Sequence, residues 1–500
     1  MTARGRKPVV IVGAGIGGLA AAIHLAAAGR PVLVCEAAAQ PGGRLRTIEV
    51  AGAPVAAGPT VLTLADVFRD LFAAAGERLD DHLTLEPLDL LARHDWAGQT
   101  RFDLHADPEA NRAAARRAFG PRAAESLRRF SARAAAIHDA LDAGFIRADR
   151  PAMAPMLRAA GAAGLAAFAR VSPFTSLWDA LGKDFDEPRL RQLFARYATY
   201  SGASPFTAPA TLMLIAHVEA QGVWRVGGGI ARLAEALAAL AERRGAVLRY
   251  GARVAEIGLA GNRAGRVRLE SGETIEAASV IGAVDLGALS QGRFGAAAQR
   301  ATAPLAEGAR RSLSAVTWCV RGRARGFPLG HHSVFFSADY RAEFAAIASG
   351  TLPADPTIYV CAQDRDGSPD PSPPGGSESL LILINAPPVG DAPGGGIGET
   401  AIDAAWGRVR ARLARAGLTI EADGSVATGP AGFDQAFPGA GGALYGRDLG
   451  GWRDPFRRPA ARTALAGLYL AGASAHPGPG LPMVALSGRN AARAVLEDRP

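Results

Sequence analysis

The N-terminal part of the chain places short apolar runs on either side of a glycine-rich turn and a helical pattern. Val9–Val12 is a β-branched run, which is typical of a buried strand. It leads into GAGIGG (Gly13–Gly18) and an alanine-rich stretch with helical spacing. A second apolar run, Pro31–Cys35, follows and ends at Glu36. The order predicts strand, tight turn, helix, strand and acid.

The rest of the chain interleaves two patterns. Residues 83–220 lose the strand–helix alternation, and their pattern predicts helices with loops. The pattern of residues 301–450 predicts strands joined by loops. Two of these loops, DGSPDPSPPGGSES and APPVGDAPGGG, are proline-rich and expected to be exposed. The segments between and after these predict a return to the first pattern. These predictions are a helix at Gly227–Arg244, strands at Ala246–Tyr250, Arg253–Ile257 and Ser279–Val284, a hairpin turn at Ser271-Gly272, a strand at Gly467–Gly472 and a last helix from Met483.

The predicted fold class is therefore α/β, with a Rossmann-type nucleotide domain interleaved with an α+β substrate domain. The nucleotide domain is assigned residues 1–82, 222–300 and 451–500. The substrate domain is assigned residues 83–221 and 301–450.

The glycine turn has the spacing of a nucleotide-binding site. Gly13 permits the tight turn, Gly15 lets a pyrophosphate approach the backbone, and Gly18 lets the helix pack closely on the strand. The helix start, which includes Ile16, presents free N–H groups and a positive dipole end to phosphates. Glu36 lies where a carboxylate accepts ribose hydroxyls; the alternative is a solvated strand end.

Composition narrows the class of protein. The 500 residues include three cysteines, Cys35, Cys319 and Cys361, whose wide separation predicts neither a disulfide framework nor a paired metal-ligand spacing, and fits a reducing compartment. Cys35 is expected to pack as an apolar residue in the second strand. The first strand begins within eight residues of the start, so we expect no signal peptide, and no apolar run approaches the roughly 18 residues that span a bilayer.

The chain is basic, with a net charge of +8 and a pI near 9.9. The arginines are scattered and not interleaved with stacking aromatic residues, so we expect no nucleic-acid partner. An anionic membrane surface is the alternative partner.

A second glycine motif follows Glu36. Pro41-Gly-Gly43-Arg44 can lie over a pyrophosphate and offer it a fixed cation and further backbone donors; the alternative for Arg44 is a charged turn. An acid followed by this motif resembles the FAD-binding half of the flavin amine oxidase and carotenoid desaturase superfamily. The resemblance implies flavin contacts from Gly58, Pro59 and Thr60, although this chain has Ala56 where many relatives carry an acid. It also implies that the Val254 backbone holds the adenine.

The terminal loop, AGASAHPGPGLPM (Ala471–Met483), follows the last predicted strand. A loop beyond the carboxyl end of a sheet strand is where α/β sheets bind ligands. We expect Gly472, Pro482 and Met483 to contact a non-covalent FAD, with the positive end of the last helix facing its redox ring. Gly227–Gly229 supplies no second dinucleotide motif, so electrons are expected to pass to oxygen or a quinone.

Three segments, residues 58–76, 196–234 and 471–488, resemble bacterial carotenoid desaturases related to phytoene desaturase, and most of all the 1-hydroxycarotenoid 3,4-desaturases, also called methoxyneurosporene dehydrogenases. The resemblance spans essentially the whole chain. It implies FAD-dependent desaturation of an acyclic carotenoid in carotenoid biosynthesis. The alternatives are a phytoene or neurosporene desaturase, an amine or protoporphyrinogen oxidase, and a non-enzymatic isoprenoid chaperone of the GDP-dissociation-inhibitor type.

Desaturation of this kind requires the protein mainly to position the substrate next to the flavin. The sequence contains neither a catalytic triad nor a metal-ligand pattern. His476 is a candidate proton acceptor, the alternative being a histidine bonded within its own loop. His217 and Glu219, on one apolar helix, are weaker candidates, and His331-His332 is expected on a surface strand.

Pro151–Trp178 is either an amphipathic segment lying on a membrane or a core helix. A water-insoluble substrate favours a cytoplasmic enzyme held peripherally on the inner or photosynthetic membrane.

Overall fold

The computed structural model describes residues 6–150, 175–371, 375–394 and 396–499. Its strands form several sheets. In chain order the strands are β1 (Val9–Val12), β2 (Val32–Cys35), β3 (Thr47–Val50), β4 (Ala53–Ala56), β5 (Leu62–Thr63), β6 (Leu85–Pro87), β7 (Leu90–Trp96), β8 (Thr100–His105), β9 (Val223–Val226), β10 (Val247–Arg249), β11 (Val254–Ala260), β12 (Arg263–Leu269), β13 (Thr274–Glu276), β14 (Ser279–Gly282), β15 (Ser314–Arg325), β16 (His332–Phe335), β17 (Ile358–Ala362), β18 (Glu378–Ala386), β19 (Thr419–Thr428) and β20 (Leu468–Leu470).

The helices pack around these sheets. They are α1 (Ile16–Ala27), α2 (Ala65–Ala74), α3 (Pro108–Phe119), α4 (Pro121–Leu141), α5 (Leu177–Asp184), α6 (Pro188–Ala195), α7 (Leu214–Ala220), α8 (Arg232–Arg243), α9 (Leu286–Ser290), α10 (Ala296–Ala306), α11 (Tyr340–Ala348), α12 (Glu399–Arg415), α13 (Pro430–Ala436) and α14 (Leu481–Asp498). Short 3₁₀ segments lie at Leu79–Asp81, Arg196–Ser201, Ala210–Met213 and Asp454–Arg457, and a π-helical turn lies at Asp142–Ile146.

The first sheet is parallel, with the strand order β10-β2-β1-β14-β20. Val12, the last residue of β1, is in register with Cys35 on one side and Gly282 on the other. The carboxyl ends of these strands therefore share one edge, which is where such sheets bind ligands. Cys35 is buried in β2, as predicted, and the strand and helix predictions for this region are confirmed to within a few residues at their ends.

Helices α1 and α14, from opposite ends of the chain, pack against each other in one apolar core with α8. A Cβ on Gly488 would lie 2.2 Å from the Gly17 carbonyl oxygen. Only glycine at this position allows so close a crossing. The contact fixes the start of α14 beside the start of α1.

The second large sheet has the order β19-β15-β18-β17-β16-β7-β8. All its neighbouring strands are antiparallel except β16 and β7. Smaller sheets join strands β11-β12-β13, β5-β9-β6 and β3-β4, and the Ser271-Gly272 turn joins β12 to β13 as predicted. The first large sheet takes its strands from the predicted nucleotide segments, while the exact domain boundaries stay a prediction.

Two predictions for the substrate part were wrong. Residues 83–220 are not only helices and loops, because β6, β7 and β8 occupy most of 85–105. The first proline-rich stretch is not exposed throughout, because Glu378 and Ser379 at its end are buried in β18.

The predicted membrane-contact segment Pro151–Trp178 lies outside the described residues up to residue 174, and Trp178 lies in α5. No helix of the described residues combines the length and apolar character needed to cross a bilayer.

Candidate functional site

The turn between β1 and α1 leaves room for a ligand beside one of its glycines, whereas the other glycines are closely packed. A Cβ on Gly15 would meet no atom of the described residues within 4 Å. A Cβ on Gly13 would lie 2.9 Å from the Ala283 carbonyl oxygen, and one on Gly18 would lie 2.0 Å from that of Gly13. Gly15 therefore borders open space, while Gly13 and Gly18 are required by packing.

Helix α1 begins at Ile16 with Gly15 as its N-cap, and no side chain caps it. The first N–H groups of a helix have no intrahelical acceptor, so Ile16 and its neighbours present donors and a positive dipole end to the space beside Gly15. Gly13, Gly15 and Ile16 line the main cavity, and Gly18 lies behind the turn. Gly18 thus shapes the predicted site without facing it.

Glu36 lies at the end of β2 with only 9% of its surface exposed. The Ala14 N–H donates to its Oε2 at 2.6 Å, and the Ala38 N–H donates to its Oε1 at 2.8 Å. These two bonds fix the carboxylate at the cavity wall. Each oxygen keeps a lone pair for a ligand hydroxyl.

The Gly-Gly-Arg motif folds back over the glycine turn. The Gly42 N–H donates to the Ala14 carbonyl oxygen at 2.9 Å, and a Cβ on Gly43 would lie 3.2 Å from Gly15 Cα. Both Gly43 and Arg44 line the cavity. The motif is therefore packed onto the turn that precedes α1, not projected into solvent.

Arg44 is held at this wall by groups from distant parts of the chain. Its Nη2 lies 3.4 Å from Asp285 Oδ2 and 3.3 Å from the Ala443 carbonyl oxygen, and the guanidinium lies 5.3 Å from the centre of the Phe437 ring. Its buried Nε has no hydrogen-bond partner among the described residues. The guanidinium is therefore a cation fixed at the cavity wall, which suits an anionic ligand.

Asp285, which follows β14, is the site residue that the sequence analysis missed. Its Oδ2 also accepts from Ser474 Oγ at 3.1 Å. It therefore ties Arg44 to the terminal loop. Its one local signal was an acid just beyond the carboxyl end of a buried strand.

The terminal loop forms the part of the wall that adjoins the start of α1, because a Cβ on Gly17 would lie 2.9 Å from the Gly472 nitrogen. The Gly472 N–H donates to Ser487 Oγ at 2.8 Å, and Arg458 Nη1 donates to the Ala473 carbonyl oxygen at 2.6 Å. The helix that follows begins at Leu481, two residues before the predicted start. Gly472, Pro482 and Met483 line the cavity, so the start of α14 faces the same space as the start of α1.

Two further predicted segments lie on the wall. Gly58, Pro59 and Thr60 line the cavity, and so does Val254 at the start of β11. Thr60 Oγ1 and the Tyr359 hydroxyl are 2.7 Å apart, and that hydroxyl is 2.8 Å from His332 Nδ1. Thr60 is thereby joined to strand β17 of the second sheet.

The cavity encloses about 1120 Å³. Sites for drug-sized ligands occupy roughly 300–1000 Å³, so this space exceeds what one such ligand needs. Away from the glycine turn the cavity continues between the second sheet and α7, and aliphatic side chains share its wall with polar and aromatic ones such as Thr211, Asn385 and Tyr445. The residues of that part include Val61, Leu212, Ile215, Val218, Leu381, Leu383, Leu444 and Leu449.

Of the titratable candidates, Glu219 lines this cavity, whereas His217 and His476 do not. His476 is buried, and its Nε2–H donates to the Phe145 carbonyl oxygen at 2.9 Å, not within its own loop as the alternative supposed. Burial lowers the pKa of His476 to about 4 despite this bond. His476 is thus a neutral anchor of the terminal loop to the segment after α4.

The expectation that His331-His332 lies on a surface strand was wrong. Both histidines are buried, because β16 is an inner strand of the second sheet. His331 Nε2 lies 3.8 Å from Cys361 Sγ. The donor atoms of these three residues lie within 4.8 Å of one another, as do those of His138, Asp139 and His217, which sequence spacing did not reveal. Geometry alone assigns no ion to either group.

The site combines a parallel sheet, a glycine turn and an acid placed to bind a ribose, and the C-terminal segment completes its wall. These features define the class of dinucleotide-binding α/β proteins. Residues 16–496 match the family model "Flavin containing amine oxidoreductase". The chain belongs to this family and, within it, to the bacterial carotenoid desaturases, and it is an FAD-dependent oxidoreductase.

Curated relatives match along their whole length. The chain is 48% identical over 496 residues to a hydroxyneurosporene desaturase of Rubrivivax gelatinosus, covering 98% of this chain and 93% of that one. It is 46% identical over 499 residues to a hydroxyneurosporene desaturase of Cereibacter sphaeroides, covering 98% and 97%. A phytoene dehydrogenase of Streptomyces griseus is 33% identical, with 98% and 95% covered.

Solved structures share the fold. An oxidoreductase from Methanosarcina mazei superposes with a TM-score of 0.61 at 16% identity, covering 98% of this chain and 100% of that one. Cyclohexylamine oxidase from Brevibacterium oxydans superposes with a TM-score of 0.55 at 17% identity, covering 99% of each. These likenesses concern the fold alone.

The residues of the cavity fit FAD. The open space at Gly15 and the free donors at the start of α1 suit a pyrophosphate, and the Arg44 guanidinium at the cavity wall suits its charge. The carboxylate of Glu36 is fixed where the βαβ unit places the ribose. The start of α14, beside that of α1, also lines the cavity and favours negative charge there.

Proposed function

We propose that this protein desaturates an acyclic 1-hydroxycarotenoid of the hydroxyneurosporene type at C3–C4. Support comes from the names of relatives that are 46–48% identical over nearly the whole chain. The observation that carries the proposal is the extension of the cavity, with aliphatic side chains on its wall, next to the FAD-binding residues. The apolar side chains of this part give a long polyene the surface against which it can be buried.

Bound FAD supplies the acceptor for a hydride taken from an unactivated carbon next to the polyene. The chain supplies position and environment. The space where the polyene would lie is lined by apolar side chains of β18 and of α7, namely Leu381, Leu383, Ile215 and Val218. These side chains exclude water from it. The start of α14 offers its positive dipole end to negative charge gathered on the ligand beside it. The proton leaves the neighbouring carbon, and Glu219 is the carboxylate on this wall.

We further propose a peripheral place on the cytoplasmic side of a membrane, with oxygen or a quinone as the electron acceptor. A carotenoid resides in lipid, and the net charge of +8 favours an anionic surface. Sedimentation with anionic and with neutral vesicles at low and high salt tests this. Binding to anionic vesicles that salt reverses supports the proposal; a protein that stays in the supernatant with both contradicts it.

Product analysis tests the reaction itself. The purified FAD-loaded protein is incubated with a hydroxylated acyclic carotenoid and, separately, with an unhydroxylated one of equal length, with air or a quinone present. The proposal predicts that the hydroxylated carotenoid loses two hydrogens and that its absorption shifts to the red. Conversion of the unhydroxylated carotenoid alone would instead assign the protein to the general phytoene or neurosporene desaturases.

A further inference from the structure

Four polar side chains form a buried cluster at the wall of the cavity. The cluster consists of Arg196, Tyr197 and Tyr200 of one 3₁₀ segment and Glu219 of α7. Arg196, Tyr200 and Glu219 line the cavity. Arg196 is 7% exposed, Glu219 4% and Tyr197 1%. Charged groups are rarely buried to this degree unless something pairs with them.

The cluster is only partly satisfied from within. Tyr197 donates its hydroxyl hydrogen to Glu219 Oε2, and Arg196 Nη2 donates to the Tyr200 hydroxyl at 3.1 Å. Among the described residues no ion pair joins Arg196 directly to a carboxylate, and its buried Nε has no partner. Burial raises the pKa of the Glu219 carboxyl, while Arg196 and the hydrogen bonds from the hydroxyls of Tyr197 and Tyr200 oppose that rise. The cluster thus holds more donors than its own acceptors use.

Its place in the cavity is next to the FAD-binding residues. Tyr200 and Tyr359 both line the cavity. The Tyr359 hydroxyl is 2.7 Å from Thr60 Oγ1, and Thr60 belongs to the segment predicted to contact the flavin. The cluster and Thr60 therefore lie on the wall of the same cavity, and Tyr359 connects Thr60 to that wall by a hydrogen bond.

We infer that Arg196 and Tyr200, backed by Glu219, bind the hydroxyl group of the carotenoid and so determine the preference for a hydroxylated substrate. The inference rests on the proposed function. A tertiary hydroxyl carries one donor and two lone pairs, so it can accept from the Arg196 guanidinium and donate to the Tyr200 oxygen. C1 is two bonds from C3, which matches a hydroxyl site beside the reacting end of the cavity.

The same cluster acts against a substrate without the hydroxyl. A hydrocarbon end placed there would remove water from Arg196 and leave the guanidinium unpaired. Sites built to hydrogen-bond a substrate hydroxyl reject analogues that lack it far more strongly than apolar pockets discriminate by size. The cluster therefore contributes to selection as well as to binding.

Paired binding and kinetic measurements test the inference. Tyr200→Phe removes a single oxygen from the cluster, and Arg196→Met removes the charge with little change in length. Tyr340→Phe is the matched control, because Tyr340 is another buried tyrosine, its hydroxyl has no partner among the described residues, and it lies away from the cavity. FAD content and melting temperature are recorded for every variant.

The wild type is expected to bind the hydroxylated carotenoid at least ~10-fold more tightly than the unhydroxylated one of equal length. Tyr200→Phe is expected to raise Kd and KM for the hydroxylated carotenoid by about tenfold and to leave both constants for the unhydroxylated one nearly unchanged. Arg196→Met changes the same ratio in the same direction, and Tyr340→Phe leaves it unchanged.

Equal changes for both carotenoids, or none with Tyr200→Phe, would overturn the inference even if Arg196→Met fails to fold. If the wild type converts the hydroxylated carotenoid but the variants keep its preference, only the hydroxyl site is wrong. If the wild type converts neither carotenoid, the proposed function fails and the inference fails with it.

Discussion

Arg44 and Asp285 are 241 residues apart in the sequence, and Arg44 Nη2 lies 3.4 Å from Asp285 Oδ2. Asp285 also accepts from Ser474 of the terminal loop. One carboxylate therefore joins three distant segments around the FAD-binding cavity. It orients the guanidinium of Arg44 at the cavity wall.

Arg44→Met is expected to weaken FAD binding by about one to two orders of magnitude, since a hydrogen bond to a charged group contributes ~1.5–3 kcal/mol. Fluorescence titration of the apoprotein with FAD measures this. Arg232→Met, which removes an exposed arginine paired with Glu235 on α8, is the control and should leave the affinity unchanged. An unaltered FAD affinity in Arg44→Met would show that Arg44 is only a charged turn residue.

Alanine substitutions at two glycines of the first turn should affect different properties, FAD affinity in one case and fold stability in the other. Gly15 has φ −69° and open space at its Cβ position, so Gly15→Ala should keep the melting temperature of the apoprotein and lose FAD affinity. Gly18→Ala would place a Cβ 2.0 Å from a carbonyl oxygen and should destabilise the fold by ~1–3 kcal/mol.

Thermal unfolding of both apoproteins and FAD titration of both variants distinguish the two effects. If Gly15→Ala binds FAD as the wild type does, the pyrophosphate does not lie over this turn.

Acid should destabilise the protein through its buried histidines. Burial lowers the pKa of His476 to about 4 and that of His94 to about 3, both below the unfolded value near 6.5. The unfolded state therefore takes up protons first, and stability that is complete above pH 6.5 is lost as the pH falls toward 4. Each such histidine accounts for up to ~1.4 kcal/mol per pH unit in that window.

His476→Gln keeps a donor for the Phe145 carbonyl and removes one titrating group. Denaturant unfolding at pH 7 and pH 5 should give a smaller loss of stability in this variant than in the wild type. Equal losses would mean that His476 is protonated in the folded state.

A buried ion pair in the second sheet should contribute far more to the free energy of unfolding than an exposed ion pair does. Arg365 and Glu378 are 2% and 1% exposed, and two hydrogen bonds of 2.9 and 2.8 Å join them. Glu378→Gln leaves a buried guanidinium uncompensated and should cost ~3–5 kcal/mol. Glu235→Gln in the exposed pair with Arg232 should cost less than ~1 kcal/mol, and chemical unfolding compares the two.

The nucleotide-binding half was predictable because its signals are local. The turn, the helix and the acid lie within β1–α1–β2, and each residue has one mechanical role. The placement of Gly472, Pro482 and Met483 also followed, since a loop after a buried strand must lie at the ligand edge. Asp285 was missed because its partners, Arg44 and Ser474, are joined to it only by the fold.

The substrate half was less predictable because burial on both faces removes the alternation that marks a strand. Strand β7 buries Arg93, His94 and Asp95 in succession, so it shows no period of two. His331 and His332 were placed on the surface for a related reason, since only the strand order makes β16 an inner strand. Bringing Glu219 of α7 to the 3₁₀ segment that carries Arg196 required the tertiary fold, which no spacing encodes.

The most direct test of the account is anaerobic mixing of the FAD-loaded protein with a hydroxylated acyclic carotenoid while flavin absorption is recorded. The account predicts bleaching of the oxidised flavin in a single turnover, together with a carotenoid that has lost two hydrogens. A flavin that stays oxidised with this substrate, yet is reduced by a chemical reductant in the same preparation, would contradict it.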